Sequence, residues 1–136
     1  MNVSKVKHLR EMQVVNCTPH PISLLAADSY IYEQVKPRVL ITFPISEHIA
    51  RVTYNTELVE RLIIDNVVID VTSTKYSKVM GLPEPKKGVI YLVSKLVAEV
   101  LHGERDDLYI LSGFTRDKGG KIMGGRSLAK LIPILK

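Results

Sequence analysis

The chain has 136 residues, a formal charge of +5, 46% hydrophobic residues and 24% charged ones, which is a folded composition and excludes a disordered segment. A domain of this size buries a core without staples, and the single cysteine, Cys17, excludes an intrachain disulfide and a cysteine-rich zinc site. No apolar run approaches the roughly 18 residues that span a bilayer, so a cytoplasmic protein with no membrane partner is expected.

The positive charge is unevenly placed. Arg116, Lys118, Lys121, Arg126, Lys130 and Lys136 face Asp117 alone in the last 21 residues, while the other 115 residues balance 13 basic against 13 acidic side chains. Such a basic end suits a phosphate-bearing partner or nucleic acid, with a merely solubilising terminus as the plain alternative. Asn and Gln are sparse beside Ile, Val and Lys, a leaning towards a thermophilic source.

In chain order, the sequence reads as one domain over residues 1–136, with 1–10 as a flexible arm. Residues 12–16 and 22–26 read as short strands around the turn Thr18-Pro19-His20-Pro21. The two prolines fix their own φ and bias Thr18 and His20 towards extended geometry. Segments 30–35, 39–43 and 49–54 continue the strand pattern. Residues 56–64 fit either a helical face or a strand, and the β-branched run 67–72 reads as a buried strand. Residues 81–88, with two prolines and two glycines, form a loop.

Residues 89–93 read as a strand, after which Ser94 can cap a helix over 95–102 with Leu96, Val97, Val100 and Leu101 on its apolar face. Gly103 can end that helix. A strand over 108–111 and a hairpin pairing 113–116 with 121–123 follow, turning at 117–120. Residues 128–135 close the chain as an irregular edge strand, given Pro133. The expected class is α+β, a mostly antiparallel sheet of short strands with one main helix near 94–102.

Several side chains are candidates for chemistry, each with a structural alternative. His20, between prolines, suits a general acid/base or a turn-holding hydrogen bond. His8, His48 and His102 are scattered, so no metal is expected. Ser94 lacks the Gly-x-Ser-x-Gly setting of a nucleophile and reads as a helix cap, while a helix N-terminus bearing Ser94 and Lys95 also suits phosphate. Arg105 stands beside Asp106 and Asp107, and Arg116 beside Asp117, so each is either an anion grip or half of an ion pair. Asp106 and Asp107 would point apart on a strand, against a paired-carboxylate mechanism. The Gly119-Gly120 and Gly124-Gly125 pairs flank Lys121 without the spacing of a phosphate-binding loop and read as hairpin turns. No zinc finger, helix-turn-helix or aromatic-basic RNA-binding strand is present.

The ordered blocks Asn16–His20, Ser46 with Ala50-Arg51-Val52, Leu82–Pro85, Tyr91–Ser94, Arg105–Leu108 and Arg116–Gly120 carry a resemblance. Together they resemble a family of small uncharacterised bacteriophage and prophage proteins with an N-terminal Asn-x-Thr-Pro-His motif and a closing Arg-Asp-x-x-Gly hairpin. The resemblance covers residues 14 to 128, with Glu47 where the family has glycine. It implies a viral or mobile-element origin. The expected function is binding of a phosphate-bearing ligand, a linear or cyclic nucleotide signal of host defence being the favoured one. Arg51, Ser94, Lys95, Arg105, Arg116 and Lys121 are the expected binding residues, with His20 shaping the pocket. No cofactor is expected, and a homo-oligomer would close a pocket that so small a chain leaves open. Two alternatives stay open: a metal-independent phosphodiesterase with His20 as its catalytic group, and an interaction or minor virion protein that docks on a host protein or nucleic acid through its basic C-terminal region.

Overall fold

A computed structural model describes residues 13–26 and 38–131, which form eight strands and one short helix. The strands are β1 (Gln13–Asn16), β2 (Ile22–Leu25), β3 (Val39–Phe43), β4 (Arg51–Ile64), β5 (Val67–Met80), β6 (Val89–Leu92), β7 (Leu108–Arg116) and β8 (Ile122–Ala129). Helix α1 spans Lys95–Val100, between β6 and β7. Among the described residues the protein is therefore predominantly β, closer to an all-β fold than to the expected α+β class. The expected helix over 95–102 stops at Val100, where the backbone turns out of helical geometry at Leu101. Expectations for residues 1–10 and for a strand at 30–35 lie outside the described residues.

Six strands form one sheet in the order β1-β6-β7-β8-β2-β3. Its pairing is mixed. The expected β7/β8 hairpin is antiparallel, as is β2/β3, but β1/β6, β6/β7 and β2/β8 run parallel. The parallel β6/β7 pair has a direct cause: α1 and the following turn carry the chain back to the end where β6 began, a crossover that parallel neighbours require. Of the closing strand expected over 128–135, residues 128 and 129 belong to β8, and residues 132–135 lie outside the described residues.

The core lies between the β1-β6-β7 portion of the sheet, α1 and the base of the β4–β5 hairpin. Cys17, Ala50, Val89, Tyr91, Val93, Val97, Ala98 and Leu108 are buried there, with Val52 and Val79 packed against them. Val97 and Ala98 are the buried face of α1.

Among the described residues, strands β4 and β5 pair only with each other, 14 residues each, and make an arm roughly 45 Å from end to end. Asp65 and Asn66 turn the chain at its tip with φ of 49° and 65°, the left-handed pair that a two-residue hairpin turn needs. Residues 56–64 are thus strand. The 67–72 run is strand as well, but exposed along nearly all its length, because among the described residues no second layer covers this end of the arm. Its β-branched residues satisfy ribbon geometry, and the burial that usually accompanies them is missing.

Candidate functional site

The Asn16–His20 block is first of all architecture. Asn16 is 2% exposed, and its side chain is saturated: Nδ2 donates to the carbonyls of His20 (2.8 Å) and Phe43 (3.0 Å). Its Oδ1 accepts from the Thr18 amide at 2.9 Å and the Thr18 hydroxyl at 2.7 Å. The Asn16 carbonyl accepts from the Ser46 hydroxyl at 2.7 Å, and the Cys17 carbonyl from the Ala50 amide at 2.9 Å. Two blocks 30 residues apart in sequence are thereby one turn in space. Cys17, at its centre, is fully buried, and that burial pushes its thiol pKa up, partly offset by the Arg105 charge.

Two further blocks lock together. Arg105 forms a forked pair with Asp107, Nε to Oδ1 at 2.9 Å and Nη2 to Oδ2 at 2.8 Å, and its Nη1 donates to the Pro83 carbonyl at 2.8 Å. Its guanidinium lies 5.3 Å from the centre of the Tyr91 ring, whose hydroxyl donates to the Glu84 carbonyl at 3.1 Å. The pairing holds Arg105 firmly protonated. Burial raises the Tyr91 phenol pKa, against the lowering effect of Arg105.

A different set of side chains meets at a cleft of about 1030 Å³. Strands β1 and β6 are parallel neighbours, so the loops leaving their carboxyl ends emerge on the same side of the sheet. The first loop brings Thr18 and His20, the second Ser94 and Lys95. In open sheets with parallel strands, that end is the usual place for a ligand. The β7–β8 hairpin supplies the opposite wall, with Arg116 and Lys121 flanking its turn and Phe114, Ile122 and Met123 as an apolar surface. Gly124 lies at its base, held without a side chain because a Cβ there would sit 2.6 Å from the Ser23 carbonyl oxygen. A Cβ on Gly125 would sit 2.4 Å from the Ser112 carbonyl oxygen. The Gly124-Gly125 pair therefore allows close strand approach inside β8 and is not the hairpin turn its sequence suggested. Gly119-Gly120 does lie in the turn, with φ of 85° at Gly120.

Five of the seven sequence candidates share this cleft: His20, Ser94, Lys95, Arg116 and Lys121. Arg51 opens β4 at the base of the arm, opposite Met80, and Arg105 lines a separate cleft of about 580 Å³ beyond α1. Ser94 caps α1, accepting from the Val97 amide at 3.3 Å, but a helix of six residues brings little dipole to the site. Arg116 donates through Nη1 to the Gly120 carbonyl at 2.8 Å, which fixes the guanidinium at the rim. Asp117 is turned to the backbone instead, its Oδ1 accepting from the amides of Gly119 and Lys121, both at 2.9 Å. Lys95 sits 3.9 Å from Glu99 in an exposed pair of little strength. The His20 imidazole makes no hydrogen bond among the described residues; the turn uses its backbone. Phe114, Ile122 and Met123 were missed by sequence reasoning, although apolar residues on either side of the basic turn 116–121 carry that signal.

Among the described residues, no three His, Cys, Asp or Glu side chains gather as a metal site. No helix there is long and apolar enough to cross a membrane. Comparison with known proteins finds no matching family model, no matching curated sequence and no matching solved structure.

Proposed function

We propose that the chain binds a phosphate-bearing ligand, a nucleotide, in the cleft between the β1 and β6 loops and the β7–β8 hairpin. The observation that carries this reading is the charge of the lining. Lys95, Arg116 and Lys121 converge on the cleft, and among the described residues neither Asp nor Glu lines it. Charge-assisted bonds from such groups are the strong ones for phosphate oxygens. Thr18, Ser94 and Ser112 add hydroxyl partners along the same walls. The exposed Phe114, Ile122 and Met123 offer a flat apolar surface for a base, which inorganic phosphate alone would not use. The block order points to a viral or mobile-element protein, and in that setting a linear or cyclic nucleotide signal of host defence is the ligand we favour, held and not consumed.

Titration calorimetry against a panel of linear and cyclic nucleotides tests the reading. The full chain is expected to bind one of them, and Lys95→Ala/Arg116→Ala/Lys121→Ala to lose that binding with an unchanged circular dichroism spectrum. Equal affinity in the triple variant contradicts the cleft as the site.

A second reading, metal-independent cleavage of a phosphodiester, draws on one observation: the free imidazole of His20 lines the same cleft as the cations. Mass spectrometry of ligand released by heat separates the two. Intact ligand supports sequestration, and cleaved ligand supports hydrolysis, in which case His20→Ala should abolish turnover while leaving binding nearly intact.

A further inference from the structure

Six aliphatic side chains at the end of the β4–β5 arm, Leu62, Ile63, Ile64, Val67, Val68 and Ile69, are between 40% and 73% exposed. They cover both faces of the ribbon. Ile64 faces Val67 and Leu62 faces Ile69 on one side, while Ile63 faces Val68 on the other. A lone two-stranded ribbon is marginally stable at best in water, and among the described residues no further strand pairs with either edge of this one. An apolar surface of this kind, ringed by charge, is the usual mark of an interface.

The ring is acidic. The distal half of the arm carries Glu57, Glu60, Asp65 and Asp70 against Arg61 alone, which is paired to Asp70 at 3.0 Å; Asp65 stands at the tip itself. A second tip is consequently a poor partner, since docking would bring the two acidic rims together. The same molecule carries the complementary surface. Phe114, Ile122 and Met123 are between 41% and 51% exposed at the cleft mouth, and Arg116, Lys118 and Lys121 flank them.

We propose that the arm tip of one copy docks on the β7–β8 hairpin of a second copy. Its aliphatic end packs on Phe114, Ile122 and Met123, and its acidic rim meets Arg116, Lys118 and Lys121. The contact is heterologous, so it closes by reciprocal exchange in a dimer or around a ring. It places the arm of one subunit across the cleft of its neighbour, on the hairpin residues a nucleotide would also use, so arm and nucleotide compete for them. The inference stands on these two surfaces and needs no bound ligand.

Sedimentation velocity of the full chain is expected to show a species heavier than the 15.3 kDa monomer. Ile63→Lys/Val68→Lys on the arm and Ile122→Lys/Met123→Lys on the hairpin should each give monomers with an unchanged circular dichroism spectrum. Mixing the two monomeric variants should restore a complex, because each retains the surface the other has lost. A monomeric full chain overturns the proposal, as does a variant that still assembles or a mixture that stays monomeric. A benzophenone side chain at position 63, in the otherwise unaltered protein, gives a second readout that does not depend on the folding of those variants. Crosslinks to residues 113–124 of another copy are expected; crosslinks elsewhere, or none, overturn it. Ile63→Lys/Val68→Lys leaves the cleft residues unaltered and uncovered. Absence of nucleotide binding by that variant, beside an assembling full chain, contradicts the phosphate reading alone, and nucleotide binding by a persistently monomeric full chain contradicts this one alone.

Discussion

Arg105 and Arg116 show how far a residue can be read from its neighbours. Both precede an aspartate in sequence, and the same ion-pair alternative applies to each. In space Arg105 pairs with Asp107 and reaches back to Pro83, whereas Asp117 spends its carboxylate on backbone amides and leaves Arg116 to the cleft. Sequence supplies the residue types; the turn geometry decides between them. Asn16 makes the same point for a residue that sequence presented only as part of a motif. Asn16→Ala would strip partners from the Thr18 amide and from the His20 and Phe43 carbonyls. It should cost on the order of 3 kcal/mol in denaturant unfolding, with the His20 turn loosened. Breaking the mostly buried fork by Asp107→Ala should cost about 3 kcal/mol as well. It should leave nucleotide affinity far less affected than Lys121→Ala, since Arg105 lies outside the cleft.

Cys17 and Tyr91 give a pH expectation whose sign follows from their shifts. Both have folded pKa values raised above ordinary ones of 9.0 and 10.0, so the native state favours their neutral forms. Their contribution is fully present below pH 9.0 and is lost as pH climbs through the folded values. Unfolding free energy should therefore decline above that pH, and less so in Cys17→Ala. Constant stability from pH 8 to 11 would contradict the burial of both groups.

Among the elements, strand positions were largely legible because period-two patterning and proline punctuation survive folding: β1, β2, β3, β6 and the β7–β8 hairpin all fall where they were expected. Strand direction was not, since local pattern carries no information on which end of β6 the chain returns to after α1. The arm was half legible. Its left-handed Asp65-Asn66 turn sits between two aliphatic runs, a hairpin signal, but nothing local reveals that the ribbon projects without a covering layer. The Gly124-Gly125 pair misled for a similar reason, since close approach by β2 and β7 is a tertiary fact. Gly125→Val should push the Ser112 backbone away, costing roughly 1–3 kcal/mol and disturbing β8 before the rest of the sheet. Amide exchange resolved along the chain reads that order directly.

For the whole molecule, the charge asymmetry visible in sequence becomes an arrangement of surfaces. The basic last 21 residues supply Arg116 and Lys121 to a cleft whose other cation, Lys95, comes from the opposite wall, and the acidic arm tip lies at the end of a separate ribbon. Nucleotide affinity should then fall as salt rises, because the cations at the rim are partly exposed and screened. Arm docking has an apolar centre and should lose less over the same salt range. Calorimetry and sedimentation across one salt series would separate the two.

The cleft as an anion site is most directly tested by residue-resolved amide shifts of the isotopically labelled protein, titrated with a nucleotide panel. Saturable shifts grouped at Thr18, Ser94, Lys95, Gly113 and Lys121 are predicted for the nucleotide that binds. Shifts grouped instead around Arg51 or Arg105, or none for any nucleotide, would contradict it.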